Sequence, residues 1–264
     1  MADYDLIGNI AIIKAEKFGE KKSRAEKVEE ARAILTRPSI KTVLEKSTHV
    51  KGRLRKIQTK FIAGEKNKVV LYRENNCVFT FNVDECYFSP RLAHDRKEIA
   101  EKIKKTDSVL CLFAGVGAYP IVINKTVRPK KIVAIEISKA CCSYFKKNLV
   151  LNNVSSDAIA IIQGDVKKKI GPGLMKKYGR FDVIVMTRPN LKESFLKPAL
   201  FAAKKGTRVF YHAFCHEKEI GELTENLKQE ARKLKKSIAI KKITAVGNIA
   251  PYKYRYRIEI VVVK

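Results

Sequence analysis

The sequence is short of acid. Against 55 lysines and arginines it carries 27 aspartates and glutamates, a formal charge of +28 on 264 residues. Thermophilic Lys-rich surfaces usually balance their lysines with glutamate. This chain does not, and the imbalance points to a polyanionic partner, of which nucleic acid is the commonest. The excess is uneven: residues 1–98 carry a net +7 and residues 99–264 a net +21. Long apolar runs are missing too. No stretch approaches the roughly 18 residues of a membrane span, and the opening MADYDLIGNI has neither a basic lead nor a secretory core, so a cytosolic protein is expected. Metal-ligand spacing is also lacking. Cys77, Cys86, Cys111, Cys141, Cys142 and Cys215 form no CxxC, and the four histidines add no ligand pattern, so reduced thiols and no metal are expected. Repeats and low-complexity linkers are absent. With 45% hydrophobic residues the chain can still bury a real core.

The first hundred residues read as a small α+β unit, with short strands at 5–14 and 57–83 and a charged helix at 20–35. After it the pattern changes to alternation. A helix at 91–104 precedes strand SVLCLFAG, helix 118–125, strand KIVAIEI and helix 139–151. Strands AIAIIQGD and FDVIVMT follow one another, then helix 191–203, strand TRVFYHAF, helix 216–236, and strands at 238–246 and 254–263. This predicts an α/β fold. Its sheet should be mostly parallel and Rossmann-like, covered on both faces, with an antiparallel hairpin at its edge. The division is 1–90 for the small domain and 91–264 for the larger one.

Segment LCLFAGVG (110–117) is a strand running into a small-residue turn and a helix. Gly115 and Gly117 let a ligand approach the backbone at the strand's carboxyl end, flanked by Phe113 and Ala114. The next strand ends in Glu136 and Ile137, about twenty residues on, where an acid can take both ribose hydroxyls of a nucleotide. The third ends in Asp165 and Val166, placed to accept from an adenine amino group. Position 120 is Pro where a nicotinamide fingerprint would have its third Gly. S-adenosyl-L-methionine (AdoMet) therefore fits better than NAD, since its sulfonium needs no pyrophosphate loop. The competing reading of each acid is a helix N-cap.

The string YFSPRLAHDR (87–96), followed by FAGVG, AIEIS and GD, resembles the archaeal and eukaryotic tRNA (guanine-37 N1) methyltransferases, including the archaeal branch of wyosine synthesis. HVKGRLR (49–55), AGE (63–65), YREN (72–75) and PYKYRYRIEI (251–260) extend the likeness over most of the chain. The resemblance implies a class I AdoMet-dependent catalytic domain after the family's middle domain, with the family's further N-terminal domain expected to be absent. It also implies a monomer and tRNA as partner, gripped at the anticodon stem-loop without a membrane. Guanine N1 carries a proton, so its methylation needs a nearby base and a donor for the charge developing on O6. By resemblance the base falls on Asp95, where the family has Glu, and the O6 donor on Arg55, with Arg53 on the same strand face. The competing reading of Asp95 is an exposed first-turn acid stabilised by the helix dipole. Arg91 and Arg96 are expected to steer phosphate or close the cofactor pocket. Lys167, Lys168 and Arg188 are expected to hold RNA.

Three departures mark a divergent member. Cys111 stands where an acid is common, Thr187-Arg188-Pro189 replaces Asn-Leu-Pro in the expected methyl-transfer wall, and Ser138-Lys139 replaces Asn-Pro. The implied activity is N1 methylation of the guanosine at position 37. The alternatives are methylation of the tricyclic wyosine intermediate at that nucleotide, aminocarboxypropyl transfer, or a non-catalytic RNA-binding protein with a decayed cofactor site.

Overall fold

The computed structural model describes residues 4–13, 22–47, 57–187 and 193–264. The first unit contains β1 (Tyr4–Ile7), β2 (Ile10–Ile13), α1 (Arg24–Leu35), β3 (Thr42–Lys46) and β4 (Thr59–Gly64), its strands forming one sheet in that order. Ser23 starts α1 with a capping box: its hydroxyl accepts from the Glu26 N–H, and the Glu26 carboxylate accepts from the Ser23 N–H. Ala31 and Ile34 form the buried stripe of this charged helix against Ala11 and Val43.

A hairpin follows, β5 (Val69–Glu74) and β6 (Cys77–Asn82), turned by Asn75 and Asn76 at positive φ. The larger unit then runs from a 3-10 turn (Pro90–Leu92) through α2 (Ala93–Glu101), β7 (Ser108–Leu112), α3 (Ala118–Val127), β8 (Lys131–Glu136), α4 (Lys139–Leu151) and β9 (Ile159–Gln163). After these come α5 (Val166–Lys169), α6 (Pro172–Tyr178), β10 (Phe181–Met186), α7 (Leu196–Ala202), β11 (Ala203–His216), α8 (Ile220–Lys233), β12 (Ile238–Ala250) and β13 (Lys253–Val262). Its seven strands are ordered β12-β13-β11-β10-β7-β8-β9. The five from β7 to β11 are parallel, and β13 joins β11 antiparallel and pairs in turn with β12. Strands β7, β8 and β10 are almost wholly buried because helices cover both faces.

The sequence reading did not mark β3, and the expected elements recur with three further differences. Helices α5 and α6 lie between β9 and β10, where the sequence reading had strand follow strand. VKKK and PGLMKKY carry too few apolar residues to show a helical period, yet the chain must cross from edge strand β9 to central β10. Second, α7 begins at Leu196 rather than 191. Third, β11 and β12 run longer than expected, because β11 pairs with β13 as far as His216↔Lys253.

Hairpin β5–β6 bridges the two units. Two α4 side chains serve β6 in place of a third strand: Asn148 Oδ1 accepts from the Thr80 N–H, and Asn152 Oδ1 from the Val78 N–H, both at 2.8 Å. On its other side Val70 and Phe81 share a core with Ile10, Ile12 and Leu44 of the first sheet.

Candidate active site

Strand β7 is flanked by β8 on one side and β10 on the other, so the topology switches there and leaves a crevice at the strands' carboxyl ends. The β7–α3 loop lines it. Phe113, Gly115 and Gly117 all have positive φ, at 60°, 58° and 90°, and the turn is closed by Gly117 N–H donating to Ala114 O. The two glycines do different work. A Cβ on Gly117 would lie 2.1 Å from the Phe145 ring, whereas a Cβ on Gly115 would meet nothing within 4 Å. Gly117 is needed for packing, and Gly115 keeps the crevice open.

Glu136 ends β8 beside this loop. Its Oε2 accepts from the Gly115 N–H and its Oε1 from the Ser138 N–H, each at 2.8 Å. Burial pushes its carboxyl above the usual glutamate range, against the backbone N–H groups of Ser138, Gly115 and Ile137. Asp165, at the end of β9, caps α5 through Oδ1, which accepts from the Lys167 N–H at 2.9 Å. Val166 packs into the core beneath it. At the end of β10 the Thr187 hydroxyl donates to Leu112 O and Phe113 O at 3.3 and 3.2 Å, tying β10 to the glycine loop. The structure thus brings together Phe113, Ala114, Gly115, Gly117, Glu136, Ile137, Asp165 and Thr187. Arg53, Arg55, Arg188 and Pro189 lie outside the described residues.

Two arginines depart from expectation. Arg96 is 2% exposed: its guanidinium grips the Glu74 carboxylate with Nε and Nη2, donates to Ser89 O, and lies over the rings of Phe88 and Tyr119. With its charge neutralised and its edge covered, Arg96 clamps β5, the Ser89 segment and α2 together instead of facing a cofactor. Arg91 is exposed and pairs with Asp5 of β1 at 3.1 Å. It lines a neighbouring cavity of about 580 Å³ between the first sheet, the Cys86–Leu92 segment and the β12–β13 hairpin. Lys167 and Lys168 stand exposed on α5, Lys167 3.1 Å from Glu193.

Asp95 is not an exposed first-turn acid. At 2% exposure it sits between α2, α3, β11 and β13. Tyr119 Oη donates to its Oδ2, Arg257 Nη1 donates to its Oδ1 at 2.6 Å and to Glu98 at 2.7 Å, and His212 Nε2 lies 3.0 Å from Oδ2. Arg255 Nε in turn donates to His212 Nδ1 at 3.1 Å. Burial alone would raise the Asp95 carboxyl; His212, Tyr119 and Arg257 overcome it and hold the group well below the usual aspartate range. Burial, helped by Arg255 and Arg257 against the pull of Asp95, lowers the His212 pKa and keeps the ring neutral. Sequence reasoning did not single out Tyr119, His212, Arg255 or Arg257. Their signals were a lone histidine in an apolar strand and arginines at alternate positions of a buried one.

Among the described residues no three His, Cys, Asp or Glu side chains converge as a metal site, and no helix is long and apolar enough to cross a membrane. All six cysteines are unbridged.

The strand order, the glycine turn and the acid closing β8 define a class I methyltransferase fold. Residues 70–239 match the TRM5/TYW2 methyltransferase domain, and residues 1–67 match the TYW2 N-terminal domain. The chain belongs to the TRM5/TYW2 methyltransferase family. It is 31% identical to the tRNA (guanine(37)-N(1))/4-demethylwyosine(37)-methyltransferase Taw22 of Nanoarchaeum equitans, over 97% of this chain and 98% of that one. It is 28% identical to the tRNA (guanine(37)-N(1))-methyltransferase Trm5b of Pyrococcus abyssi, over 97% of this chain and 73% of that one. The crystal structure of P. abyssi Trm5b superposes with a TM-score of 0.84, covering 99% of this chain and 75% of that one at 28% identity. The fold is shared also with P. horikoshii TYW2 in complex with MeSAdo, at a TM-score of 0.82 and 22% identity, over 99% of this chain and 91% of that one.

Proposed function

We propose that this protein methylates N1 of the guanosine at position 37 of tRNA, with AdoMet as donor. The observation that carries the reading is the joined Gly115–Glu136 cradle at the β7 and β8 ends, in a chain whose relatives of known activity act on that nucleotide. The residues present fit AdoMet: the Gly115 position opens onto free space, and Glu136 is an acid at the end of the strand beside it. Bound there, AdoMet supplies an electrophilic methyl on a cationic sulfur.

The chain's own residues do the rest. Gly115 and Phe113 shape the loop, Glu136 accepts from the ribose hydroxyls, and Asp165 takes the adenine amino group. Asp95 accepts the N1 proton. That proton grows strongly acidic as N1 bonds to carbon, so even a carboxylate held far below its ordinary range takes it late in the reaction. Tyr119 and Arg257 each donate to one of its oxygens and His212 Nε2 lies 3.0 Å from Oδ2, so the carboxylate is held in one orientation. Arg55 is assigned to O6, and Arg53, Lys167, Lys168 and Arg188 to the RNA backbone. Turning the base out of a loop is inexpensive compared with a duplex.

A second reading, methylation of the tricyclic wyosine intermediate at the same nucleotide, is favoured by the match of residues 1–67 to a TYW2 N-terminal domain and by the dual name of the N. equitans relative. Labelled AdoMet offered with tRNA bearing guanosine, adenosine or the tricyclic intermediate at position 37, followed by mass spectrometry of the nucleosides, separates the two. Label is expected in 1-methylguanosine and not in the adenosine tRNA; equal incorporation into both overturns the assignment.

Glu136 makes a further expectation. Its raised pKa means that the ribose acceptor starts to protonate above the ordinary glutamate range, so AdoMet affinity should fall as pH drops into that region. Glu136→Gln should bind about tenfold or more weakly at neutral pH, the worth of one hydrogen bond to a charged group, and lose this pH dependence. Titration calorimetry at several pH values checks both.

A further inference from the structure

The reading above leaves two features without a role, the buried His212 of β11 and the terminal PYKYRYRIEI segment. The structure joins them. His212 and Arg257 are fully buried and reach Asp95 from the paired strands β11 and β13, and Arg255, 6% exposed, stands behind His212. We propose that His212, fixed by Arg255 in the neutral form with its proton on Nε2, is a positioning residue that aims the Asp95 carboxylate at the substrate proton. This rests on the assignment of Asp95 as proton acceptor.

The tautomer follows from the donors. A guanidinium only donates, so the His212 Nδ1 that accepts from Arg255 Nε must be a bare lone pair, and the ring proton is on Nε2. A second ring proton would point at the guanidinium. His212 therefore offers Asp95 an N–H without adding charge, unlike Arg257. Nε2 stands 3.0 Å from Oδ2 without completing a hydrogen bond, so a small turn of the carboxylate makes or loosens the contact. Tyr119 Oη holds the same oxygen and Arg257 the other. Held by Tyr119 of α3 on one oxygen and by Arg257 of β13 on the other, the carboxylate has only that small turn left about its last bond, and His212 governs it.

The charged and titratable groups facing Asp95 are few. On its own helix Glu98 shares Arg257, His94 pairs outward with Glu98, and Arg96 is spent on Glu74. From α3 comes Tyr119, from β11 His212, and from β13 Arg255 and Arg257, with Glu259 3.3 Å beyond Arg257 Nη2. His212 is thus the one uncharged nitrogen donor in contact with Asp95 among the described residues. Removing its N–H takes away a donor to the ionised form, so the Asp95 pKa rises.

The test compares three variants with wild type and with Asp95→Asn, each checked for folding by thermal melting. His212→Leu keeps bulk without a donor, His212→Asn places its amide nearer Nδ1, and His212→Gln extends an N–H toward the place of Nε2. In His212→Leu and His212→Asn, kcat should fall about tenfold, as for one charge-assisted hydrogen bond, with AdoMet affinity unchanged. His212→Gln should recover most of the turnover. If His212→Leu does not fold, the Gln and Asn pair decides alone. Equal losses in Gln and Asn, or wild-type kcat in a folded Leu or Asn variant while Asp95→Asn is inactive, overturn the role of His212 and leave the proton acceptor standing. Wild-type turnover in Asp95→Asn overturns the acceptor itself, and this inference with it.

Discussion

Asp95→Asn should lower turnover by about two orders of magnitude or more while AdoMet binding stays near wild type, because a positioned general base contributes roughly that much and Asp95 does not line the glycine loop. Single-turnover methylation together with calorimetry measures both halves. The buried setting adds a stability effect. Breaking a buried ion pair by removing one partner costs about 3–5 kcal/mol, but Arg257 keeps Glu98 and the amide oxygen still accepts, so the loss should be smaller than that range. Its pH dependence has a definite sign. The folded Asp95 pKa is depressed, so its stabilising contribution is present above the unfolded value of about 3.9 and is lost as pH falls toward the folded one. Denaturant melts should separate wild type and variant at pH 7 and converge as the pH drops below about 4. A separation that persists unchanged in acid would show that the ionised carboxylate contributes nothing to stability.

The two loop glycines should respond in opposite ways to substitution. Gly117→Ala puts a Cβ 2.1 Å from the Phe145 ring at a φ of +90°, so α3 or the core must move. Strain and overpacking of that kind cost roughly 1–3 kcal/mol each, and the variant should melt many degrees lower or fail to fold. Gly115→Val meets open space at a φ of +58°, with about 1–2 kcal/mol of left-handed strain, and should remain folded. Its side chain projects into the crevice, and AdoMet affinity should drop at least tenfold. Melting curves and calorimetry on the pair decide the matter. Similar melting temperatures for both variants, or retained AdoMet binding in Gly115→Val, would contradict the division between packing and binding.

The parallel sheet was legible because its central strands are buried on both faces and read as short apolar runs: the expected SVLCLFAG, KIVAIEI and FDVIVMT became β7, β8 and β10, each starting where expected and ending one to three residues earlier. The cofactor loop was legible for a related reason. Glycines and an acid at successive strand ends are local features, and a parallel α/β fold brings such ends together whatever the details of packing. Helices α5 and α6 were not legible, since their lysines face solvent and only Val166 is buried. Nor was the length of β11, which depends on how far β13 runs beside it.

The fate of the charges separates the two levels most clearly. From the sequence alone came the +28, the fold class, the Gly115–Glu136–Asp165 series and the family resemblance. All of these rest on composition and on residues near one another in the chain. Sequence did not reveal which charges are spent inside the protein. Arg96 looked like a cofactor ligand and is clamped to Glu74; Arg257 looked like one more terminal cation and is buried against Asp95, 162 positions away. A charge has no preference for interior or surface until a partner is supplied to offset its desolvation, and here folding alone brings the partners together.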